Sequence, residues 1–135
     1  MRTLNTKEII SFIRKNSTLH NIYSNNYLRS KIYKCFTRNN IYYFLDKSEL
    51  IGFIEWFRYD DTVRLIKDFT DNTVKDTHGK FLYISDYVFE NGKCKKCLID
   101  RFLKFHKKLG EIEKAYIMKY KHGEFYIKPF LIGRS

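Results

Sequence analysis

A chain of 135 residues has the size of one ordinary domain and can bury a core without help from metals or disulfides. Hydrophobic residues make up 44% and aromatics 18%, which excludes the disordered class. A net charge of +11 excludes no partner class but raises encounter rates with anything polyanionic.

Asn5 with Glu8 three residues later reads as a capping pair, and Ile9, Ile10, Phe12 and Ile13 follow at helical spacing. The first helix is predicted over about Thr6 to Lys15. A second covers about Asn25 to Cys35, with Leu28, Ile32 and Cys35 or Phe36 inward, and Asn39-Asn40 ends it. "IYYFLD" and "LIGFIEWFRY", parted by the polar turn Lys47-Ser48-Glu49, read as a hairpin of two strands. Asp60 to Gly79 is polar with little periodicity and is expected to be a long loop holding at most a short helical turn near Val63 to Ile66. Lys80 to Phe89 reads as the third strand, stopped by Asn91-Gly92. Leu98, Phe102, Phe105 and Leu109 then recur at i, i+4, i+7 and i+11, flanked by Ile99 and Leu103, and mark a basic amphipathic helix closed by Gly110. "KAYIMKYK" and "EFYIKPF" flank His122-Gly123 as a second hairpin, in which Pro129 points to an edge strand.

A strand, helix, strand crossover after an antiparallel meander implies an α+β fold with a mixed sheet of about five strands. Two N-terminal helices and one central basic helix flank it, in a single domain over residues 1–135. No apolar run reaches the roughly 18 residues of a membrane span. The three cysteines, Cys35, Cys94 and Cys97, are odd in number, and no secretory leader pattern precedes them. A cytoplasmic protein with reduced thiols is the expectation.

The element order resembles that of the acetyltransferase-like (GNAT) superfamily. There, the loop after the strand that precedes the central helix holds a pyrophosphate on backbone N–H groups at the helix N-terminus. The corresponding loop is "FENGKCKK". It departs from the usual Gln/Arg-x-x-Gly-x-Gly/Ala pattern, with Phe89 at the first position, Gly92 in place and Cys94 at the second small position. The cofactor contacts implied are Phe89, Asn91, Gly92, Lys93, Lys95 and Lys96, for an acyl-coenzyme A or an acyl carrier protein thioester.

A narrower resemblance lies in two segments. "NSTLHNIY" is similar to the Asn-Ser-Pro-Leu-His-x-x-Trp segment of the toxin-activating lysine acyltransferases, the hemolysin-activating enzymes that acylate protoxin lysines. "YISDYVFENG" resembles that family's Phe-Ile-Asp-Trp-Ile-Ala-Pro-Phe-Gly strand. Thr18 stands for the proline, Tyr23 for the tryptophan, and Phe89-Glu90-Asn91-Gly92 for the Ala-Pro-Phe-Gly run. The resemblance implies catalytic roles for His20 and Asp86, with Ser17 contributing, and acyl transfer from a thioester to a lysine or other amine of a protein acceptor. Histidine suits that task, because a lysine amine is protonated at neutral pH and must lose a proton before it attacks. His20 could equally attack the thioester itself, and the residues do not separate base from nucleophile. The bland alternatives are a helix-terminal histidine bonded to the last carbonyls and an edge-strand aspartate paired with a lysine. The family also implies an acidic carrier-protein donor and a homodimer.

From Lys93 to Ser135, twelve lysines and arginines face four acids. Arg101, Lys104, Lys107 and Lys108 on the basic helix could meet an acidic protein or a nucleic acid, and charge does not choose between them. The rival function is therefore a non-catalytic GNAT-like protein that binds nucleic acid or a nucleoprotein and blocks or modulates it. Cys94-Lys95-Lys96-Cys97 suggests a zinc or a redox reading, but one such pair supplies half a tetrahedral site at most, so no metal is expected. Cys97 reads instead as a small core residue of the basic helix.

Overall fold

The computed structural model describes residues 4–133. Its elements are α1 (Thr6–Asn16), a 3₁₀ turn (Leu19–Ile22), α2 (Asn25–Arg38), β1 (Ile41–Asp46), β2 (Glu49–Tyr59), α3 (Thr62–Asp71), β3 (Phe81–Phe89), α4 (Lys95–Lys108), β4 (Lys114–Lys121) and β5 (Glu124–Phe130). The strands form one mixed sheet in the order β1-β2-β3-β4-β5. β1 runs antiparallel to β2, β3 parallel to β4, and β4 antiparallel to β5. The chain divides into two compact units: one comprises the chain up to Glu55 with Tyr87–Lys93, the other Trp56–Asp86 with the chain from Cys94 onward.

The first unit is built on α1 and α2. Asn5 caps α1, its side chain accepting from the Glu8 N–H at 2.8 Å, as the sequence predicts. Ile9, Ile10 and Ile13 share one face of α1, and Leu28 and Ile32 one face of α2. Together with Phe53 of β2 and Val88 of β3 they make a buried cluster. Each such side chain contributes about 1.5–3 kcal/mol by leaving water. α2 stops at Asn39, which takes the left-handed conformation (φ 55°) while its N–H returns to Phe36. Cys35 is buried, and its thiol donates to Glu55 at 2.8 Å.

The second unit holds a separate cluster of Phe57, Tyr59, Leu65 and Tyr83, with Phe69, Phe81 and Tyr116 against it. Leu65 and Phe69 come from α3, so the expectation of a long loop from Asp60 to Gly79 is overturned. Asp61 caps a ten-residue helix, accepting from the Val63 N–H at 2.8 Å. Asp68, in the last turn, is buried because the Tyr59 hydroxyl donates to it at 2.8 Å. α4 also buries a different stripe from the one expected. Ile99, Phe102 and Leu103 are inside, whereas Phe105 and Leu109 are 60% and 56% exposed. The helix carries apolar residues on two adjoining stripes, and among the described residues one stripe is buried while Phe105 and Leu109 of the other are exposed.

The cysteine expectation fails as well. Cys97 is not a core residue but an exposed one, and it is joined to Cys94 in a disulfide with Cα atoms 5.3 Å apart. Sulfurs bonded to each other are not thiolate ligands for zinc.

The two hairpins close differently. His122 and Gly123 have φ 53° and 80°, and Lys47 and Ser48 have φ 49° and 66°. Both pairs follow the handedness that suits a two-residue hairpin, but only the second hairpin places a glycine there. Pro129 pairs with Tyr116 on β5, the last strand of the sheet, as the sequence predicts.

Candidate functional site

α1 ends one residue before Ser17, whose N–H caps back to the Ile13 carbonyl, and the 3₁₀ turn that follows carries His20. The local geometry brings these two predicted residues together. The Ser17 Oγ accepts from the His20 backbone N–H at 3.3 Å and lies 2.5 Å from His20 Nδ1. The oxygen that accepts the backbone N–H still has its own hydrogen to direct at Nδ1. In the neutral imidazole that arrangement goes with the ring proton on Nε2. His20 is 4% exposed, whereas Ser17 is half-buried. The Tyr23 ring meets the imidazole edge-on at 6.0 Å between centroids and stacks on Tyr27 at 4.6 Å.

Arg14 holds this turn in place. Its guanidinium donates to the His20 carbonyl at 3.0 Å, to the Tyr23 carbonyl at 2.5 Å, and from Nε and Nη2 to Asn25 Oδ1 at 3.2 and 2.9 Å. A planar fork with fixed donors suits several acceptors at once. The sequence reading missed Arg14, because on paper it is one more basic residue in the last turn of a helix.

Asn16 connects the histidine segment to the loop after β3. Its amide donates to the Phe12 carbonyl at 3.1 Å, and its Oδ1 accepts from the Asn91 N–H at 3.3 Å. The Glu90 N–H is bonded to the Ile51 carbonyl and the Lys93 N–H to the Glu90 carbonyl, at 2.8 and 3.1 Å. The Asn91 and Lys93 amides, expected to face a pyrophosphate, are thus engaged within the protein. The Phe89 ring is buried beside Phe44 (centroids 5.3 Å apart) and lies over Gly52, where an added Cβ would come within 2.3 Å of it. The Lys93 ammonium lies 3.7 Å from Asp46. Gly92 (φ 88°) has open space around it. Nearby, an open cleft of about 480 Å³ is lined by Ser11, Phe12, Lys15, Asn16, Leu50 and Glu90 among others, with neither Ser17 nor His20 in its wall.

The remaining predicted residues belong to the second unit. The register of β3 with β4 ends at Ile84–Ile117. Asp86 and Lys119 each stand two residues further on, which places them on the faces of Ile84 and Ile117. Asp86 is buried. Lys128 of β5 pairs with Ile117, so it shares that face with Lys119. Partial burial holds the Lys119 ammonium below its usual pKa, and the charges of Lys95 and Lys128 add to the effect. Lys95 opens α4, and the peptide dipoles of that helix add positive potential at the same end. Lys95, Lys119 and Lys128 therefore form a cationic cluster, of which only Lys95 was expected. Arg101, Lys107 and Lys108 are exposed along α4, while Lys104 is paired with Asp100 at 3.0 Å. The Asp100 carboxyl is held below its usual pKa by the Gly133 N–H, and further by Lys104.

No protein-family model matches this sequence, and no curated protein matches it. Solved structures do. A GNAT-like decarboxylase, GphF, in complex with isobutyryl-CoA superposes with a TM-score of 0.59 at 12% identity, over 84% of this chain and 60% of that one. The loading GNATL domain of CurA from Lyngbya majuscula gives 0.54 at 14% identity, over 84% and 59%. A probable acetyltransferase gives 0.55 at 14% identity, over 91% and 79%. The chain spans about three fifths of the length of the first two. Among the described residues, no helix is long and apolar enough to cross a membrane, and no group of three His, Cys, Asp or Glu side chains could hold a metal. At these identities the likeness is one of architecture: the chain has a GNAT-like fold.

Proposed function

We propose that the protein transfers an acyl group from a thioester donor to a lysine or other amine of a protein acceptor, with His20 as the base. The observation that carries the reading is the Ser17 hydroxyl held on His20 Nδ1 by a turn that Arg14 clamps.

This geometry favours base over nucleophile. The Nδ1 lone pair already receives the Ser17 hydrogen, so it is poorly placed to attack an acyl carbon. It is well placed to receive a proton through Ser17. An incoming ammonium would give its proton to the half-buried Ser17 oxygen while that oxygen passes its own to Nδ1. Such a relay reconciles a nearly buried base with an acceptor that arrives from solvent. Asp86 as the carboxylate that stabilises the imidazolium comes from the resemblance to the toxin-activating enzymes, as does an acidic carrier protein as the donor.

A bound thioester would supply the activated acyl carbon. Lys95, Lys119 and Lys128, with Lys96 beside them, fit the phosphates of such a donor in charge, whether it is an acyl-coenzyme A or a carrier protein's phosphopantetheine. The loop from Phe89 to Lys93 fits less well, since its Asn91 and Lys93 amides are used internally.

The test offers labelled acyl carrier thioester and labelled acetyl-coenzyme A to the wild type, Ser17→Ala, Ser17→Thr and His20→Ala. Label transfer that falls at least about a hundredfold in both alanine variants and survives in Ser17→Thr supports the relay. Transfer untouched by either alanine variant ends it. The lysine cluster also favours a second reading, a binder of polyanions. Salt-sensitive binding of RNA or DNA that is lost on neutralising Lys95, Lys119 and Lys128, with no label transfer, would establish that reading instead.

A further inference from the structure

We propose that Cys94 and Cys97 form a thiol–disulfide exchange site at the exposed start of α4, open to thiol reductants and independent of acyl transfer.

Position is the first argument. A disulfide that serves stability restrains the unfolded chain in proportion to the loop it closes, and this one joins residues separated by three. It bridges no two elements, and both cysteines are exposed. A bond placed there gives the fold little and gives reductants full access.

The second argument is the surroundings of the sulfur. Cys94 is the N-cap of a 14-residue helix, and its Sγ accepts the Cys97 backbone N–H at 3.3 Å. The same N–H would stabilise a Cys94 thiolate, as would the helix dipole and the ammonium groups of Lys95 and Lys96, the next two residues of the chain. The environment that would attract phosphates thus also makes Cys94 a good leaving group.

The exchange follows from that asymmetry. A thiolate of the reductant bonds to Cys97 Sγ, the Cys94–Cys97 bond breaks, and Cys94 leaves as the stabilised thiolate. A second thiolate, of the same dithiol or of a second glutathione, then attacks the reductant's sulfur in the mixed disulfide and releases Cys97 as a thiolate, which takes a proton from solvent. Two electrons pass from the reductant, which leaves as a disulfide, to the protein. In the reverse direction the Cys97 thiolate opens a disulfide partner, and the Cys94 thiolate then attacks Cys97 Sγ, releasing the partner's second thiolate.

The experiment uses the full chain equilibrated in glutathione buffers of graded reduced-to-oxidised ratio, with alkylation and peptide mass spectrometry reporting each cysteine. The buried Cys35 serves as the internal reference. Both sites should titrate together from disulfide to thiol with the fold intact by circular dichroism. In the reduced protein, iodoacetamide should label Cys94 with a midpoint near or below pH 7, against about 8.5 for an ordinary thiol. Lys95→Gln with Lys96→Gln should slow that labelling several-fold at pH 7. Three results would each overturn the proposal: cysteines that never pair in oxidised glutathione, a bond that opens only when the chain unfolds, or a Cys94 that titrates like an ordinary thiol in wild type and lysine variant alike.

Discussion

Arg14→Met is the sharpest probe of how the histidine turn is held. Methionine keeps an apolar stem of similar length and removes the guanidinium, so the His20 and Tyr23 carbonyls each lose a charged donor. Hydrogen bonds to charged groups contribute about 1.5–3 kcal/mol each. Both carbonyls are only part-buried, and water can replace some of the loss, so about 1 kcal/mol apiece is the working figure. The two bonds to Asn25 are exposed and add little. The total of about 2 kcal/mol corresponds to a Tm lower by roughly 6–10 °C for a chain of this size. Differential scanning calorimetry measures the shift. Amide hydrogen exchange should show faster opening at residues 18–23 than in the sheet. A Tm within about 2 °C of wild type, with exchange unchanged in that turn, would refute the clamp, and a uniform rise in exchange everywhere would show Arg14 supporting the unit at large.

Two further outcomes follow from close contacts and burial. Gly79→Ala places a Cβ 2.2 Å from the backbone of Tyr59 and Asp60, which no rotamer relieves, so a loss of about 3 kcal/mol or more is expected in urea denaturation. Gly92→Ala, in open space at φ 88°, should lose only about 1 kcal/mol, and equal losses for the two would sink the steric argument. Tyr59 is fully buried, which pushes its hydroxyl pKa up to about 12, with a hydrogen bond from the Lys75 N–H lowering it and Asp68 raising it. The folded value exceeds the unfolded one, so this contribution to stability is complete below pH 10 and drains away between pH 10 and about 12. The urea midpoint of wild type should therefore fall faster than that of Tyr59→Phe over this window, and parallel declines would count against it.

Much of the architecture is legible in the residues because local rules and burial agree there. Asn5 and Glu8 place the start of α1 to the residue, and the β-branched and aromatic runs around Lys47-Ser48 and His122-Gly123 mark both hairpins. α3 was lost because its apolar positions, Leu65 and Phe69, are diluted by polar neighbours. Its local signals, the cap residue Asp61 and the short apolar stretch from Val63 to Ile66, are common in loops as well. The wrong stripe of α4 has another origin, since periodicity says which residues align but not which of two adjoining rows meets a surface. In the candidate site, Ser17 and His20 were found through their segment, three residues apart and on one turn. Arg14 was invisible because two of its partners are main-chain carbonyls, which every residue has, and the third is an asparagine eleven residues away. The cysteine spacing fits a bridge and a ligand pair equally well, and only the placement of the sulfurs decides.

The Lys47-Ser48 corner has a consequence for how the protein assembles. Side chains with a Cβ resist the left-handed region by about 1 kcal/mol or more each, so this corner opposes the bend it makes, whereas Gly123 eases the other. The C-terminal hairpin can therefore close from its own sequence, while the first must wait for Phe53 and its neighbours on the helices to draw β1 and β2 into register. A peptide of residues 113–131 should show cross-strand nuclear Overhauser effects in water, and one of residues 40–57 should show none until Asn-Gly replaces the corner.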